Sequence, residues 1–308
     1  MMQGHWQIAK AVILGCAICV TTSSSGSLPA ESESPPSGYD LVPSFSEEFD
    51  GARLDTKRWI NVYADPSPSE ASIAKRNLWG NGELQVYFDA AYLGLGVEPF
   101  RLADGILTIQ ADRLSTRALS RLSGDLARQP PQIRDSALRN VQYSSGLIST
   151  KGRFQQRYGY FEIRARWSNG KGLWPAFWLL PADGSWPPEI DVLEAHGDKP
   201  GTAYQSIHSK IVAATTRTAS YQSGAQSFHR YGALWTPTRV DYFIDGVKTS
   251  SIDAPADLSG PMYMIANLAI GGTWPGNPTS DVKFPATMDI DYIRVWRFNR
   301  LPPAAATR

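Results

Sequence analysis

Cysteine is almost absent from this sequence, which has two among its 308 residues. Both of them, Cys16 and Cys19, lie in one apolar run near the amino terminus. If that run is removed, the remaining chain has no disulfide bond and must be held together mainly by its core. Histidine is also scarce: the four histidines show no H-x-x-x-H spacing, which argues against a catalytic zinc site.

Long apolar runs and an excess of charge of one sign are missing as well. The apolar run 11–20 has ten residues and follows Lys10, which is typical of a secretory signal and too short to span a bilayer. We therefore predict a secretory signal over residues 1–30 and an exported protein without a membrane span, with lipoprotein processing at Cys16 as the alternative. Thirty Lys and Arg residues balance 29 Asp and Glu residues, so the charge gives little support for nucleic-acid binding.

The distribution of residue types predicts one folded domain. Residues 31–38 are rich in Ser, Pro and Glu and have almost nothing to bury, so we predict a disordered leader there. Turn residues recur from 39 to 299 without a second linker, and the 26 Gly and 22 Pro spread through the chain favour many short strands. We expect a single all-β domain over 39–299, a flexible tail over 300–308 and a monomer.

Several segments alternate between apolar and polar residues with a period of two. In 160–167, for example, Phe161, Ile163 and Ala165 share one face, which predicts a half-buried strand. The segment 239–249 alternates in the same way and turns at Asp245-Gly246, a dipeptide that tolerates the positive φ angles of a tight hairpin. We find no pattern that predicts a helix longer than two turns.

One segment departs from this alternation. Residues 113–140 contain six Arg, two Asp and a double Pro. We predict a long solvated loop there, with at most one helical turn. The alternative is a loop at the rim of a binding site, whose arginines meet an anionic substrate.

The most informative motif is E-I-D-V-L-E at 189–194, which has three carboxylates within six residues. On a regular strand Glu189 and Asp191 share a face, and Glu194 points to the other one. One β-bulge at Val192 or Leu193 would bring all three to one face. The glutamate Cα atoms would then lie about 13 Å apart at roughly 3.3 Å per residue. Inward-leaning side chains would leave the carboxyl groups roughly 5 to 6 Å apart, as in a retaining rather than an inverting glycosidase. The alternative is a solvated edge strand whose charges prevent unwanted pairing.

Three motifs together resemble glycoside hydrolase family 16. They are GLWPAFW at 172–178, EIDVLE at 189–194 and NLAIGGTWPG at 267–276, and the likeness covers about residues 43–297. The bulged E-x-D-x-x-E form is similar to the laminarinase-like branch. The resemblance implies a β-jelly-roll sandwich of two curved antiparallel sheets with a concave substrate cleft. It also implies a secreted, endo-acting, retaining hydrolase of β-1,3 or mixed β-1,3/1,4 glucan that needs no cofactor for catalysis.

The resemblance also assigns roles to the three carboxylates. By position, Glu189 matches the nucleophile, Asp191 the assisting acid and Glu194 the general acid/base. Crowded carboxylates raise one another's proton affinity, which suits groups that must share a proton during the reaction.

Tryptophans provide the candidate sugar-binding surfaces, because aromatic rings pack on the apolar C–H faces of sugars. The resemblance favours Trp174, Trp186 and Trp274 as cleft residues. Trp178 shares a face with Trp174 and fits either the cleft or the core.

Polar candidates lie on two neighbouring segments. The stretch W-x-N-x-E-x-Q at 79–85 includes Asn81, which would contact substrate unless Asn81-Gly82 forms only a tight turn. The resemblance also places His208 within reach of the acid/base, and it favours His208 over His196 as a site residue.

A structural calcium ion is a further implication of the resemblance. Asp291 would hold it together with backbone carbonyls near Glu48 and Gly105, an oxygen-only set that suits a hard cation. Alternatively, Asp291 only faces solvent from the last strand.

Three alternatives to glucan hydrolysis stay open on the sequence alone. The same mechanism could act on a bacterial exopolysaccharide, including an acidic one that meets the arginines of 113–140. The domain could also be a jelly roll that binds carbohydrate without catalysis, or an enzyme that transfers the glycosyl group to another sugar.

Overall fold

The computed structural model describes residues 34–63, 73–222 and 227–302. The predicted signal over 1–30, the start of the predicted leader and most of the predicted tail lie outside these residues. Within the described ranges, no helix has the length and apolar character needed to cross a membrane.

Most of the regular structure is β-strand, at 44% of the residues against 11% helix. The strands are β1 (Leu41–Glu47), β2 (Gln85–Tyr87), β3 (Phe100–Ala103), β4 (Ile106–Arg113), β5 (Tyr143–Ser145), β6 (Leu147–Ser149), β7 (Gly159–Trp167), β8 (Leu173–Pro181), β9 (Glu189–Glu194), β10 (Thr202–His208), β11 (Thr215–Ser220), β12 (His229–Trp235), β13 (Arg239–Ile244), β14 (Val247–Asp253), β15 (Met262–Ile270) and β16 (Ala286–Phe298). The helices are α1 (Thr116–Ala127) and α2 (Pro131–Arg134), and 3₁₀ turns occur at Ile73–Lys75, Trp79–Asn81, Tyr92–Gly94 and Ala137–Asn140. The all-β prediction is confirmed.

The strands form two sheets. The ten-stranded sheet has the order β14-β13-β12-β7-β16-β4-β5-β2, with β1 on β16 and β3 on β4. The six-stranded sheet has the order β11-β10-β9-β8-β15-β6. All pairings are antiparallel among the named strands of the described residues except that of β2 with β5. The motif strand β9 therefore lies inside its sheet, between β8 and β10, and not at an edge.

Side chains of the six-stranded sheet alternate between the core and an open cleft. On β8, Leu173, Phe177 and Leu179 enter the core between the sheets. Trp174 and Trp178, on the opposite face of the same strand, line the cleft. The strands β10 and β15 alternate in the same way, so one face of the sheet supplies the core and the other supplies a cleft of about 1140 Å³.

Two hairpins of the ten-stranded sheet turn at Asp-Gly dipeptides. Asp245 and Gly246 join β13 to β14 with φ angles of 50° and 76°. Asp104 and Gly105 join β3 to β4 with φ angles of 54° and 72°. Both dipeptides tolerate the left-handed region that a two-residue hairpin turn requires, and the turn predicted at Asp245-Gly246 is confirmed.

The prediction that the chain has no helix longer than two turns is wrong. The helix α1 has 12 residues, and the Ser115 side chain caps it by accepting from the Ala118 amide (3.2 Å). Ala118, Leu122 and Leu126 follow one another at intervals of four and bury one face of the helix. Their spacing is the signal that the sequence reading missed, because the charged residues between them suggested a loop.

The arginines of 113–140 do not reach the cleft. All six are exposed, and none of the residues 113–140 lines the cleft. Instead, the apolar face of α1 packs on a small separate core that includes Val86, Phe88 and Tyr92. Asp125 fixes this packing by accepting from the Tyr92 hydroxyl (2.9 Å) and the Ile73 amide (3.0 Å). The structure thus contradicts both the loop prediction and its alternative of a rim loop that contacts substrate.

Candidate active site

A β-bulge brings the three carboxylates of β9 to the cleft face. Opposite β8, Leu193 pairs with Phe177 and Asp191 pairs with Trp178, so Val192 is the extra residue. Val192 and Leu193 are both buried in the core. Because two consecutive side chains enter the core, Glu194 returns to the face of Glu189 and Asp191, and all three line the cleft. The predicted bulge at Val192 or Leu193 is confirmed.

Two indole groups hold the two glutamates. Trp186 Nε1 donates to Glu189 Oε2 (2.6 Å), and Trp174 Nε1 donates to Glu194 Oε1 (3.1 Å). Each bond fixes the orientation of one carboxyl group and occupies one of its oxygens. The Glu189 carboxyl group also forms a side-chain hydrogen bond with the neighbouring Asp191.

His208 lies beside the carboxylates of Asp191 and Glu189. Its Nε2 is 3.2 Å from Asp191 Oδ2 and 3.8 Å from Glu189 Oε1. The approach to Asp191 lacks hydrogen-bond geometry, so Asp191 Oδ2 is buried without a hydrogen-bond partner among the residues that the structure describes. The register of β9 and β10 explains the proximity, because His208 pairs directly with Glu189.

Burial and mutual repulsion dominate the electrostatics of this site. Burial raises the pKa of Glu194 to about 8, and the charge of Glu189 contributes to the rise. Burial also raises the pKa of Glu189 well above its usual range, and the neighbouring Asp191 raises it further. The pKa of Asp191 is raised by burial first and then by Glu194. Groups this close cannot all ionise near neutral pH, so the site retains a proton that can be donated.

The structure brings the predicted tryptophans together around the carboxylates. Trp186 and Trp274 are exposed, with 63% and 42% of their surfaces open to solvent. Trp274 packs edge-to-face on Trp174, with 5.2 Å between ring centroids. Trp178 is 7% exposed and donates to Asn267 Oδ1 (2.7 Å), so it forms the floor of the cleft. These positions fit the predicted role in sugar binding.

The polar candidates divide between the cleft and its supports. Asn81 lines the cleft, and its Nδ2 donates to Glu83 Oε1 (2.9 Å). Gly82 has a φ of 71°, so the tight turn predicted as the alternative is also present. His196 is buried and packs against Trp274 at 4.2 Å, so it supports that ring from behind.

Sequence reasoning missed several residues of the cleft. Tyr63, Tyr204 and Tyr263 line it, as do Lys75 and Lys151. For Tyr263 a signal was present, since it shares a face of β15 with Asn267 while the other face is uniformly apolar. The position of Tyr63 depends on a contact between distant parts of the chain, because Ile60 forms a β-bridge with Ser149.

A fourth carboxylate, Glu83, lies at the floor of the cleft. Burial raises the pKa of Glu83 to about 7, although hydrogen bonds from Asn81 and Gln85 oppose the rise. Gln85 Nε2 donates to Glu83 (2.6 Å), and its Oε1 accepts from the Ile270 amide (2.7 Å). Gln85 is therefore a fully buried support and not a contact for substrate.

The predicted calcium position has a poor donor set for a cation. The Asp291 carboxylate, the one predicted side-chain ligand, forms an ion pair with Arg164. The guanidinium beside this carboxylate repels a divalent cation. The residues present therefore do not fit the ion well, and calcium binding stays a prediction.

Comparison with known proteins agrees with this geometry. Residues 107–294 match the family model of glycosyl hydrolases family 16. The endo-1,3-1,4-beta-glycanase EglC of Rhizobium meliloti is 36% identical over 259 residues, which are 83% of this chain and 52% of that protein. The beta-glucanase of Rhodothermus marinus is 30% identical over 284 residues, 84% of this chain and 86% of that protein. The chain thus spans about half the length of the first of these relatives.

Solved structures agree with the two-sheet architecture. The endo-beta-1,3-glucanase from Pyrococcus furiosus superposes with a TM-score of 0.68 at 26% identity. The match covers 85% of this chain and 97% of that chain.

Proposed function

Because the chain belongs to glycosyl hydrolase family 16, we propose that it is an endo-acting, retaining hydrolase of β-1,3 or mixed β-1,3/1,4-linked glucan. The proposal includes export directed by the predicted signal over 1–30. It draws on the relatives above for the substrate class and on the cleft for the chemistry.

One observation carries the proposal: the Val192 bulge places two glutamates on one cleft face, each held by an indole N–H. Glycoside hydrolysis requires two carboxyl groups that flank the scissile bond, and here the pair lies beside an open, aromatic-lined cleft. A carbohydrate-binding module needs the aromatic rings but has no use for two buried carboxyl groups whose charges repel each other.

The first step of the mechanism forms a covalent intermediate. Glu194 is protonated near neutral pH and donates its proton to the glycosidic oxygen as the bond to the anomeric carbon breaks. Ionised Glu189 attacks that carbon from the opposite face and forms a glycosyl ester. The N–H of Trp186 and the nearby His208 stabilise the anionic form of Glu189, and Asp191 holds the proton that the Glu189–Asp191 pair retains.

The second step reverses these roles. Glu194, now ionised, takes a proton from water, and the water oxygen attacks the anomeric carbon. The ester bond breaks, the electron pair returns to Glu189, and the configuration at the anomeric carbon is retained overall. A sugar hydroxyl in place of water would give transglycosylation by the same route.

An acidic β-glycan is a second candidate substrate. Lys75 and Lys151 line the cleft, and neither forms an ion pair with a carboxylate of the described residues. Lys151 Nζ lies 5.5 Å from the centre of the Tyr263 ring, an aromatic surface of the same cleft. A sugar that stacks near Tyr263 would therefore bring a carboxylate or sulfate substituent close to an ammonium group.

The test is product size over time for the purified protein on laminarin, lichenan, agarose and an acidic exopolysaccharide in parallel. Rapid shortening of a glucan, with β-configured products by NMR, is the result expected for an endo-acting retaining enzyme. Cleavage of only the acidic polymer would favour the second candidate.

The variant Glu189→Gln separates an enzyme from a binding module. It keeps the size of the side chain and removes the nucleophile, so we expect hydrolysis to be lost while oligosaccharide binding survives. If no polymer is shortened by the wild-type protein but oligosaccharides still bind, the hydrolase proposal fails.

A further inference from the structure

The cleft contains a group of donor atoms that the hydrolytic mechanism does not fully use. Glu189, Asp191 and His208 each contribute one donor atom, and the three atoms lie within 4.8 Å of one another. His208 comes from β10 and the two carboxylates come from β9, so the register of two strands assembles the group.

We propose that Glu189, Asp191 and His208 form a binding site for a divalent transition-metal cation, with zinc as the best fit, and that the bound ion inhibits hydrolysis. The inhibition rests on the proposed function, whereas metal binding does not.

The distances fit zinc with little movement. In a tetrahedral site with bonds of about 2.0 to 2.1 Å, neighbouring ligand atoms lie roughly 3.3 Å apart. His208 Nε2 is 3.2 Å from Asp191 Oδ2 and 3.8 Å from Glu189 Oε1. Small side-chain rotations therefore complete three ligands, and the fourth position faces the cleft, where water can occupy it.

An unsatisfied buried atom supports the site independently. Asp191 is 2% exposed, and no hydrogen-bond partner for its Oδ2 lies in the described part of the chain. An orphaned buried carboxylate oxygen costs free energy, which a cation bound there would recover. Glu189 Oε2 accepts from Trp186, and Oε1 is the oxygen that lies 3.8 Å from His208 Nε2.

The chemistry of the donors selects the class of cation. One imidazole nitrogen with two carboxylate oxygens suits zinc or copper, whereas calcium and magnesium require six or more oxygen ligands. Among the described residues, neither a lysine nor an arginine forms an ion pair with the two carboxylates. The His208 side chain is 34% exposed, so the ion can enter from the cleft.

Inhibition follows from the identity of one ligand. An ion on Glu189 Oε1 occupies the oxygen of the attacking carboxylate and neutralises its charge. The same ion would stand between the nucleophile and the anomeric carbon, so substrate and metal should compete.

The experiment titrates zinc chloride into the untagged protein by calorimetry and measures initial rates at each zinc concentration, with magnesium chloride as the comparison. We expect one zinc ion per chain, inhibition competitive with substrate and reversed by EDTA, and no effect of magnesium. His208→Asn should weaken zinc binding by at least about 10-fold, the loss that follows even from removing an outer partner of a metal ligand.

His229→Asn is the matched control, because His229 also contacts a carboxylate, Asp245 (2.7 Å), but lies outside the cleft and belongs to no three-donor group found among the described residues. Its zinc affinity should equal that of the wild type. A rise in the thermal midpoint with zinc gives a second readout, and His208→Gln replaces His208→Asn if the latter does not fold. Absence of zinc binding, or equal binding by the His208 variant, would overturn the site. Zinc binding without inhibition would overturn the inhibitory role alone.

Discussion

The carboxylates of the two sheets differ in whether a cationic side chain lies beside them. In the ten-stranded sheet, carboxylates pair with cations, as in Arg164–Asp291 and Arg166–Asp289, and Arg294 of β16 pairs with Glu48, which follows β1. In the six-stranded sheet, Glu189, Asp191 and Glu194 have one ion-pair neighbour among the described residues, His208. Paired surface charges contribute little energy but cost little, whereas crowded buried charges destabilise the fold and retain protons for chemistry. The difference indicates that the ten-stranded sheet serves as the scaffold and the six-stranded sheet as the reaction surface.

Replacement of Glu194 should have the largest effect on activity. Glu194→Gln keeps the size of the side chain but cannot donate a proton, so we expect kcat to fall by about 10²- to 10⁴-fold. In the wild type, activity should fall as pH rises through about 8, because Glu194 then loses the proton that it donates. The measurement is the pH profile of kcat for both proteins. A variant that retains this alkaline limb would show that another group donates the proton.

Replacement of Glu83 tests the cost of burying a carboxylate without a cationic partner. Its pKa is raised from 4.5 to about 7, so the native state binds more protons than the unfolded state across this interval. Stability should therefore fall as pH rises from 4.5 to 7, by about 3 kcal/mol at 1.36 kcal/mol per unit. Glu83→Gln should remove this part of the pH dependence. Urea unfolding at several pH values measures it, and parallel curves for the two proteins would contradict the prediction.

Removal of the indole N–H that contacts Glu194 should affect hydrolysis less than replacement of Glu194 itself. Trp174→Phe keeps an aromatic ring but removes the donor to Glu194, and that hydrogen bond lowers the pKa of Glu194. We expect the alkaline limb of kcat to move to higher pH by about one unit, since a hydrogen bond to a charged group contributes about 1.5 kcal/mol. Trp274→Phe is the control, because it should change KM and leave the limb in place.

Replacement of Glu48, which follows β1 and pairs with Arg294 of the ten-stranded sheet, should give the smallest effect. The pH dependence of its contribution to stability should have the opposite sign to that of Glu83. Hydrogen bonds from Arg294 lower the pKa of Glu48, so its contribution to stability is present above the unfolded pKa of about 4.5 and is lost as pH falls through the folded pKa. The pair is more than one third exposed, so Glu48→Gln should cost under about 1 kcal/mol at neutral pH and leave kcat unchanged. A loss of activity would show that the two sheets are not independent in this respect.

Local patterns in the sequence were sufficient to predict the structure where they repeat with a fixed period. The strand over 160–167, the Asp245-Gly246 turn and the bulge on β9 each depend on neighbours in the chain, and all three are present. The prediction that 160–167 is half-buried is wrong for its first half, because Tyr160 and Glu162 of the polar face are also buried. The helix α1 was missed because its buried face contacts residues from other segments, among them Ile73 and Tyr92. The amphipathic spacing was present, but nothing in the sequence showed that a core existed on which the apolar face of this helix could pack.

The sequence by itself determined the chemistry of this protein. The order E-x-D-x-x-E determines which residues carry carboxyl groups and, because side chains of a strand alternate with a period of two, that a bulge is needed to align them. Only the tertiary structure decided which charges meet. It buried the carboxylates together, placed His208 from β10 and two indoles beside them, and turned the arginines of 113–140 away from the cleft. These contacts depend on the pairing and packing of segments far apart in the chain, and the raised pKa values follow from that burial.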